Sequence, residues 1–393
     1  MQRRQFIRGG AAAGLLAGTL SGCASGSDIS KVGRNIPGGK LVPIQAKPDR
    51  IIATNVCTRP FRMQGPRNES EKLGNKTIVH NYGHGGSGWS LSWGAAELAQ
   101  QMASVTGDTN IAVLGCGAIG LTTAIQAQRK GMKVTIYAKE RPPYVRSSFA
   151  TGIWSPDSRI VSATHAQPFA STWELMARTS FRKYQTLLGL PGMPVEWARM
   201  FQLSDTPFGS QAHHGADGEP EYPDLSKQLI RDITPQPTLL SDAENPFSVT
   251  YARRYPLLMF NISAYSRLLT DEFISGGGDI VYRQLKEKQD FANFDENTII
   301  NCTGYGARTL LDDDSILPVR GQTCKLIPQP EVTYGVQYFS QKVSFYPRRD
   351  GLLVQTGGEN DFGNPHAVVD PAESIGAVER LAEVMRGMKR QRR

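Results

Sequence analysis

The stretch Asn110–Glu140, NIAVLGCGAIGLTTAIQAQRKGMKVTIYAKE, constrains this chain more than any other. An apolar run, Ile111–Leu114, enters a glycine turn, Gly115-Cys116-Gly117-Ala118-Ile119-Gly120. An amphipathic helical pattern follows as far as Gly131, then a second apolar run, Val134–Ala138, which stops at Lys139-Glu140. In such a turn the first glycine permits the bend, the second lets backbone approach a pyrophosphate, and the third lets helix pack on strand. The N–H groups of the helix's first turn then face the anion. An acid about 20 residues beyond the last glycine suits a ribose hydroxyl, and Glu140 stands there. Strand, turn, helix, strand and acid in that order predict a dinucleotide site on an α/β scaffold.

A length of 393 residues allows two or three domains and a large core. The net charge of +8 is diffuse and lies partly in the termini, so it does not require a nucleic-acid partner. There is no zinc-finger spacing, heptad pattern or internal repeat, and no metal is expected. Met1–Cys23 has a basic start, a short Ala/Gly/Leu-rich middle and a small-residue end, the form of an export signal. Arg3-Arg4 followed by Phe6 resembles a twin-arginine signal, and Leu20-Ser21-Gly22-Cys23 resembles a lipobox that would lipidate Cys23. The alternative is a plain secretory signal with an incidental cysteine. The expectation is an exported protein, periplasmic or at the cell surface, held to a membrane by lipid on Cys23. Residues 24–40 read as its tether. Cys57, Cys116, Cys302 and Cys324 contain no C-x-x-C pair, and no disulfide framework is expected.

Farther along, Arg50–Cys57 reads as a strand, residues 58–76 as a loop with a short strand near Arg67–Glu69, and Thr77–His80 as another strand. His80–Gly94, HNYGHGGSGWSLSWG, follows, with a helical pattern over Ala95–Val105. Its closely spaced glycines predict consecutive backbone N–H groups turned toward an anion or carbonyl. Tyr82, Trp89 and Trp93 between them suit a planar ligand. Helices are predicted over Pro168–Leu188, Phe260–Gly276 and Pro371–Met388. Residues 197–246 read as antiparallel strands and loops. Further strands are predicted at Asp279–Arg283, Asn297–Gly304 and Pro318–Leu326, with a hairpin across Val332–Phe345 and Gly351–Thr356.

Several motifs resemble the D-amino-acid oxidases, flavoenzymes related to glycine oxidase. They are VLGCGAIGL (Val113–Leu121), YAKERPP (Tyr137–Pro143), ATGIWSP (Ala150–Pro156), NCTGYGAR (Asn301–Arg308), PVRGQ (Pro318–Gln322), YPRRDG (Tyr346–Gly351) with TGG (Thr356–Gly358), TRPFR (Thr58–Arg62) and the long HNYGHGGSGWSLSWG. In that family the last two blocks come at the end of the chain, whereas here Arg50–Val105 comes first. The resemblance therefore implies a circularly permuted fold, in which a Rossmann-like FAD-binding domain is interleaved with an antiparallel-sheet substrate domain. The boundaries it implies are residues 41–76 for substrate-domain strands, 77–160 for the FAD-binding core, 161–278 mainly for the substrate domain, 279–326 for the FAD-binding domain, and 327–393 for substrate-domain strands and the final helix.

The resemblance also implies FAD as cofactor and a small amino acid or amine as substrate, oxidised by hydride transfer to the flavin N5 with oxygen as acceptor. A membrane quinone is the alternative acceptor, and a non-catalytic flavin-binding envelope protein is a third reading. Arg59 would pair with the substrate carboxylate. Gly85, Gly86, Ser87, Gly88, Trp89 and Ser90 would lie along the flavin edge, with Gly86 among the groups acting on the reacting ring. Gly115, Gly117, Ala118, Ile119 and Gly120 would hold the pyrophosphate, and Lys139 and Glu140 the adenosine side. Arg146, Ser147 and Ser148 would touch phosphate, Gly152 and Ile153 the flavin, and Thr303 and Gly304 the far end of the cofactor. The family's substrate-contacting tyrosine, three residues before the proline of YPRRDG, is Ser344 here, which leaves Tyr338 as the candidate tyrosine. Tyr346 would share the face of Ser344 by strand alternation.

Overall fold

Two hydrophobic periodicities build two sheets that share one body. The computed structural model describes residues 41–209, 218–358 and 361–389. The export signal, Cys23 and the tether lie outside the described residues. In chain order the elements begin with β1 (Ile51–Arg62), β2 (Arg67–Leu73), β3 (Lys76–Tyr82), α1 (Gly88–Ser104), β4 (Asn110–Leu114), α2 (Ala118–Arg129) and β5 (Lys133–Ala138). Then come α3 (Ala166–Gln185), β6 (Val195–Ser204), α4 (Leu225–Leu229), β7 (Thr238–Leu239), β8 (Tyr251–Phe260), α5 (Ile262–Ser275), β9 (Asp279–Tyr282) and β10 (Thr298–Asn301). The chain closes with α6 (Ala307–Leu310), β11 (Ile316–Leu326), β12 (Tyr334–Tyr338), β13 (Val343–Tyr346), β14 (Leu352–Thr356) and α7 (Pro371–Arg386).

The six-stranded sheet runs β2-β3-β10-β4-β5-β9. Its strands are parallel except for β2, which pairs antiparallel with β3 at the edge. Parallel strands need both faces covered, and their runs are apolar accordingly: Ile111, Ala112, Val113 and Leu114 of β4 are all buried. On one side α1, α2, α3 and α5 share a core that includes Trp93, Trp173, Tyr184 and Tyr265. Gly94 lets α1 lie directly on α3, because a Cβ there would collide with the Met176 backbone. The helix therefore begins at Gly88, seven residues before the apolar pattern suggests.

The eight-stranded sheet runs β1-β11-β14-β13-β12-β6-β8-β7. One face packs against α7 through Ala377, Val378, Leu381 and Met385. The other turns toward the dinucleotide-type unit. Two expected boundaries change. β2 joins the six-stranded sheet by pairing with β3 from Arg67↔Tyr82 to Leu73↔Lys76, and does not belong to the substrate domain. β11, expected in the FAD-binding domain, pairs with β1 and β14 in the other sheet. In the region expected to be mainly substrate domain, α3 and α5 pack on the dinucleotide side while β6, β7 and β8 join the large sheet.

The segment entering β1 and the end of α7 meet. The Tyr334 hydroxyl donates to the Val42 carbonyl at 2.9 Å and lies 3.7 Å from the Met388 sulfur. The four cysteines among the described residues are free and buried. No helix among them is long and apolar enough to cross a membrane.

Candidate active site

From β4 the six-stranded sheet runs outward through β5 to β9, and the chain then returns to β10 on the other side of β4, so the crevice lies beyond the carboxyl ends of β4 and β10, the end of an open α/β sheet where ligands bind. The glycine turn closes there. Gly115 has φ +97°, and a Cβ on it would come within 2.7 Å of the Cys302 carbonyl. A Cβ on Gly120 would collide with the Gly115 carbonyl. Gly117 is the N-cap of α2, followed by Ala118 and Ile119 in its first turn. Thr303 and Gly304 come directly after β10, where the Cys302 N–H donates to the Leu114 carbonyl at 2.9 Å. Lys139 and Glu140 are exposed just past the end of β5.

The polar loop lies against this turn. Ser147 Oγ accepts the Ala118 N–H at 3.1 Å, and the Arg146 guanidinium stands 5.4 Å from the centre of the Tyr305 ring. Ser148 Oγ is buried with no hydrogen-bond partner among the described residues. Beyond it, the Gly152 carbonyl accepts from Phe260 N–H at 2.8 Å and Ile153 bridges to Met259, which joins the loop to β8.

The glycine-rich loop between β3 and α1 works differently from the expected array of free N–H groups. The Gly85 N–H donates to Pro60 O (2.8 Å), Gly86 N–H to Ser158 O (3.0 Å) and Ser87 N–H to His84 O (2.9 Å). The catalytic assignment of Gly86 is thereby corrected, since its backbone donor is already engaged. What remains is the first turn of α1, whose Gly88, Trp89 and Ser90 N–H groups precede the first intrahelical bond, Leu91 N–H to Ser87 O. The side chains of Ser87, Trp89 and Ser90 hold the neighbouring loop. Trp89 Nε1 donates to Ser147 O (2.8 Å), Ser87 Oγ to Ser158 O (3.0 Å), and Ser90 Oγ accepts the Ser155 N–H (2.8 Å). His84 is buried, and burial holds its imidazole down at about 3, hence neutral.

Arg59 projects from β1 toward this junction. Residues facing each other across strands share a face, and the register Cys57↔Gly321, Arg59↔Val319 puts Arg59 on the side of Gly321. The guanidinium lies flat over Gly321, where any Cβ would collide with it. One nitrogen donates to the Arg320 carbonyl at 2.7 Å. Among the described residues no carboxylate lies within ion-pair distance of it; Asp361, paired with Arg320 at 3.2 Å, is near enough to feel its charge. The rest of the planar fork is free to receive a carboxylate in bidentate fashion.

Tyr338 is corrected as a site residue. It pairs with Val343 and Leu203, on the face covered by α7, and its hydroxyl donates to Asp205. Ser344 pairs with Gln355 and Gln337, on the face of Arg59. Tyr346 shares that face, and its hydroxyl accepts from Gln337 Nε2 at 2.9 Å. Sequence reasoning missed Gly321, Gln337, Gln355 and Tyr255, whose hydroxyl donates to Gln337. PVRGQ contained the signal for Gly321, but strand partners were needed to show what lies over it. A cavity of about 430 Å³ opens between this face (Asn55, Thr323, Lys325) and the opposite wall of Ser148, Ala150 and Ser266.

A parallel sheet with a glycine turn at its strand ends, joined to a large sheet that is antiparallel except for the parallel pair β6–β12, and so mixed where an antiparallel sheet was expected, defines a dinucleotide-dependent enzyme class. The FAD dependent oxidoreductase family model matches residues 110–393, and the chain belongs to that family. It is similar to a D-amino-acid oxidase of Fusarium vanettenii, 47% identical over 70% of this chain and 77% of the relative. It is also similar to a D-amino-acid oxidase of Streptomyces coelicolor, 29% identical over 55% of this chain, where the match spans only 58% of the relative's length. The fold resembles glycine oxidase from Geobacillus kaustophilus, with a TM-score of 0.50, 15% identity, and 70% and 77% of the two chains covered. The residues present fit FAD. Backbone close enough to exclude any side chain surrounds the turn at Gly115 and Gly120, and the buried Ser148 hydroxyl waits beside it without a protein partner.

Proposed function

We propose that this chain oxidises the Cα–N bond of a D-amino acid, or of a related small amine, to an imine that water then hydrolyses. When bound, FAD supplies the two-electron acceptor for the hydride leaving Cα. Gly117 and the first turn of α2, brought into place by the bend at Gly115, would hold the pyrophosphate, Glu140 the ribose, and Gly152, Ile153 and the first turn of α1 would border the ring. Arg59 takes the substrate carboxylate and so fixes which hydrogen of Cα faces the ring. The substrate reacts as the free amine, its ammonium proton first passing to water, so that as hydride leaves Cα the nitrogen lone pair forms the imine. The observation that carries this reading is the guanidinium of Arg59 lying over Gly321 without an ion-pair partner among the described residues.

Further parts of the reading rest on sequence. Oxygen is the acceptor, giving hydrogen peroxide. Lipid on Cys23 anchors the exported protein, an arrangement that would equally suit electron delivery to a membrane quinone. The chain is a circular permutation of the family fold, supported by β1–β3 and α1 preceding the matched region and by the meeting of Val42 with the end of α7.

Four outcomes are expected. Arg59→Met should raise the substrate concentration for half-maximal anaerobic flavin reduction on the order of 100-fold, as loss of a charge-assisted pair of hydrogen bonds implies, with flavin content unchanged. Gly321→Ala should give a smaller loss of roughly 10-fold, because the flexible guanidinium is only displaced. Wild-type behaviour in both variants would remove Arg59 from the site. A chain reopened so that residues 110–388 precede 41–105, joined by a short linker, should fold and bind FAD; an apoprotein that fails to fold would argue against permutation. Cys23→Ser should move the protein from the membrane fraction to the soluble one, and continued membrane retention would contradict the lipid anchor.

A further inference from the structure

The sheet face that carries Arg59 is unusually polar for a surface packed against another layer. One cross-strand row reads Asn55↔Thr323↔Gln355↔Ser344↔Gln337↔Gln202, each the register partner of the next. Period-two alternation would normally give such a face to apolar residues, and the opposite face obeys that rule with Cys324, Val354, Phe345, Val336 and Phe201. Thr323, Ser344 and Gln337 are nonetheless more than nine-tenths buried. At the far end the row is satisfied internally. Gln337 bonds Tyr346 and Tyr255, and Gln202 accepts from Arg253 Nε at 2.8 Å.

The near end is not satisfied internally. The side chains of Asn55 and Thr323 line the 430 Å³ cavity and make no side-chain hydrogen bond among the described residues. Across from them, Ser266 is 3% exposed and its hydroxyl is buried without a partner among the described residues. Buried polar groups left unpaired cost free energy unless something in the cavity bonds them. The guanidinium of Arg59 rests over Gly321, two residues along β11 from Thr323, a spacing of about 6–7 Å. A carboxylate on Arg59 thus places the third or fourth carbon of its chain among these groups.

We infer that the cavity bounded by Asn55, Thr323 and Ser266 receives the substrate side chain and selects one that is uncharged and hydrogen-bonding, a carboxamide or hydroxyl, over an apolar one of the same shape. This rests on Arg59 holding the substrate carboxylate. Lys325 and Arg348, the cations on the buried wall of the cavity, already have their donors engaged by Asp350 and the Ala150 carbonyl, so a second carboxylate finds no free donor there. Lys325 is paired with Asp350 at 2.7 Å, and Arg348 with the same carboxylate, which they hold at about 2 against the upward effect of burial. Arg267 and Asp271, exposed on one helix face of α5, offset each other at the rim. The row also accounts for serine at position 344, because a tyrosine on this face would stand in the path from Arg59 to the polar row.

Calorimetric titration of the FAD-loaded protein with two deaminated isosteres separates the possibilities without turnover. Succinamate carries a carboxylate and a carboxamide; 4-methylpentanoate has the same skeleton with methyl groups in place of the amide. Succinamate should bind at least 10-fold more tightly, and Thr323→Val and Asn55→Leu should each cut that preference several-fold at unchanged flavin content and melting temperature. Equal or tighter binding of 4-methylpentanoate, a preference that survives both substitutions, or tighter binding of the dianion succinate would overturn the inference while leaving the carboxylate role of Arg59 intact. Binding of neither monocarboxylate, or binding indifferent to Arg59→Met, would overturn that role and this inference with it.

Discussion

Everything in this site depends on how one loop is held. Residues 147–158 have no regular structure long enough to fix themselves, and they must face the glycine turn, the flavin side and the large sheet at once. Side chains from the start of α1 hold them: Trp89 to the Ser147 carbonyl, Ser90 to the Ser155 N–H, Ser87 to the Ser155 and Ser158 carbonyls. Because the Gly85 N–H also bonds Pro60, beside Arg59, the same few residues tie the cofactor turn to the strand that carries the arginine proposed to hold the substrate. Glycine at 85, with φ +52° and the Arg159 carbonyl where a Cβ would stand, is what lets the two loops touch.

The division of labour between the sheets follows from burial. The parallel sheet is covered on both faces and offers only its strand ends, where backbone N–H groups and a helix terminus suit an anion. The large mixed sheet covers one face with α7 and can vary the other. That second face carries Arg59, the polar row and the cavity, so a change of substrate preference can be made there without disturbing the cofactor turn.

Much of this was legible in the sequence, for physical reasons that differ by residue. The run from Ile111 to Glu140 declared itself because Gly115 and Gly120 are required by backbone contacts that any side chain would block. The glycine-rich loop was recognisable as a site, but its mode of action was not, since composition does not show that Gly85, Gly86 and Ser87 donate within the protein. β2 showed in the sequence only as a short strand near Arg67–Glu69, because the rest of RNESEKL is a charged sequence that pairs as an edge strand. β8 hid behind Arg253-Arg254 and Pro256, and with it went Tyr255. Tyr338 failed because a strand's face is set by its partners, and Val343 and Leu203 place it under α7.

The central claim is that FAD at the carboxyl ends of β4 and β10 is reduced by an amino acid whose carboxylate Arg59 holds. Anaerobic mixing of the FAD-loaded protein with matched D- and L-amino acids, glycine and small amines, followed by admission of air, tests it most directly. The account predicts bleaching of the flavin absorbance by D-amino acids, little or none by their L-enantiomers, and recovery of colour in air. Persistence of the oxidised spectrum with every amine, or equal bleaching by both enantiomers, would contradict it.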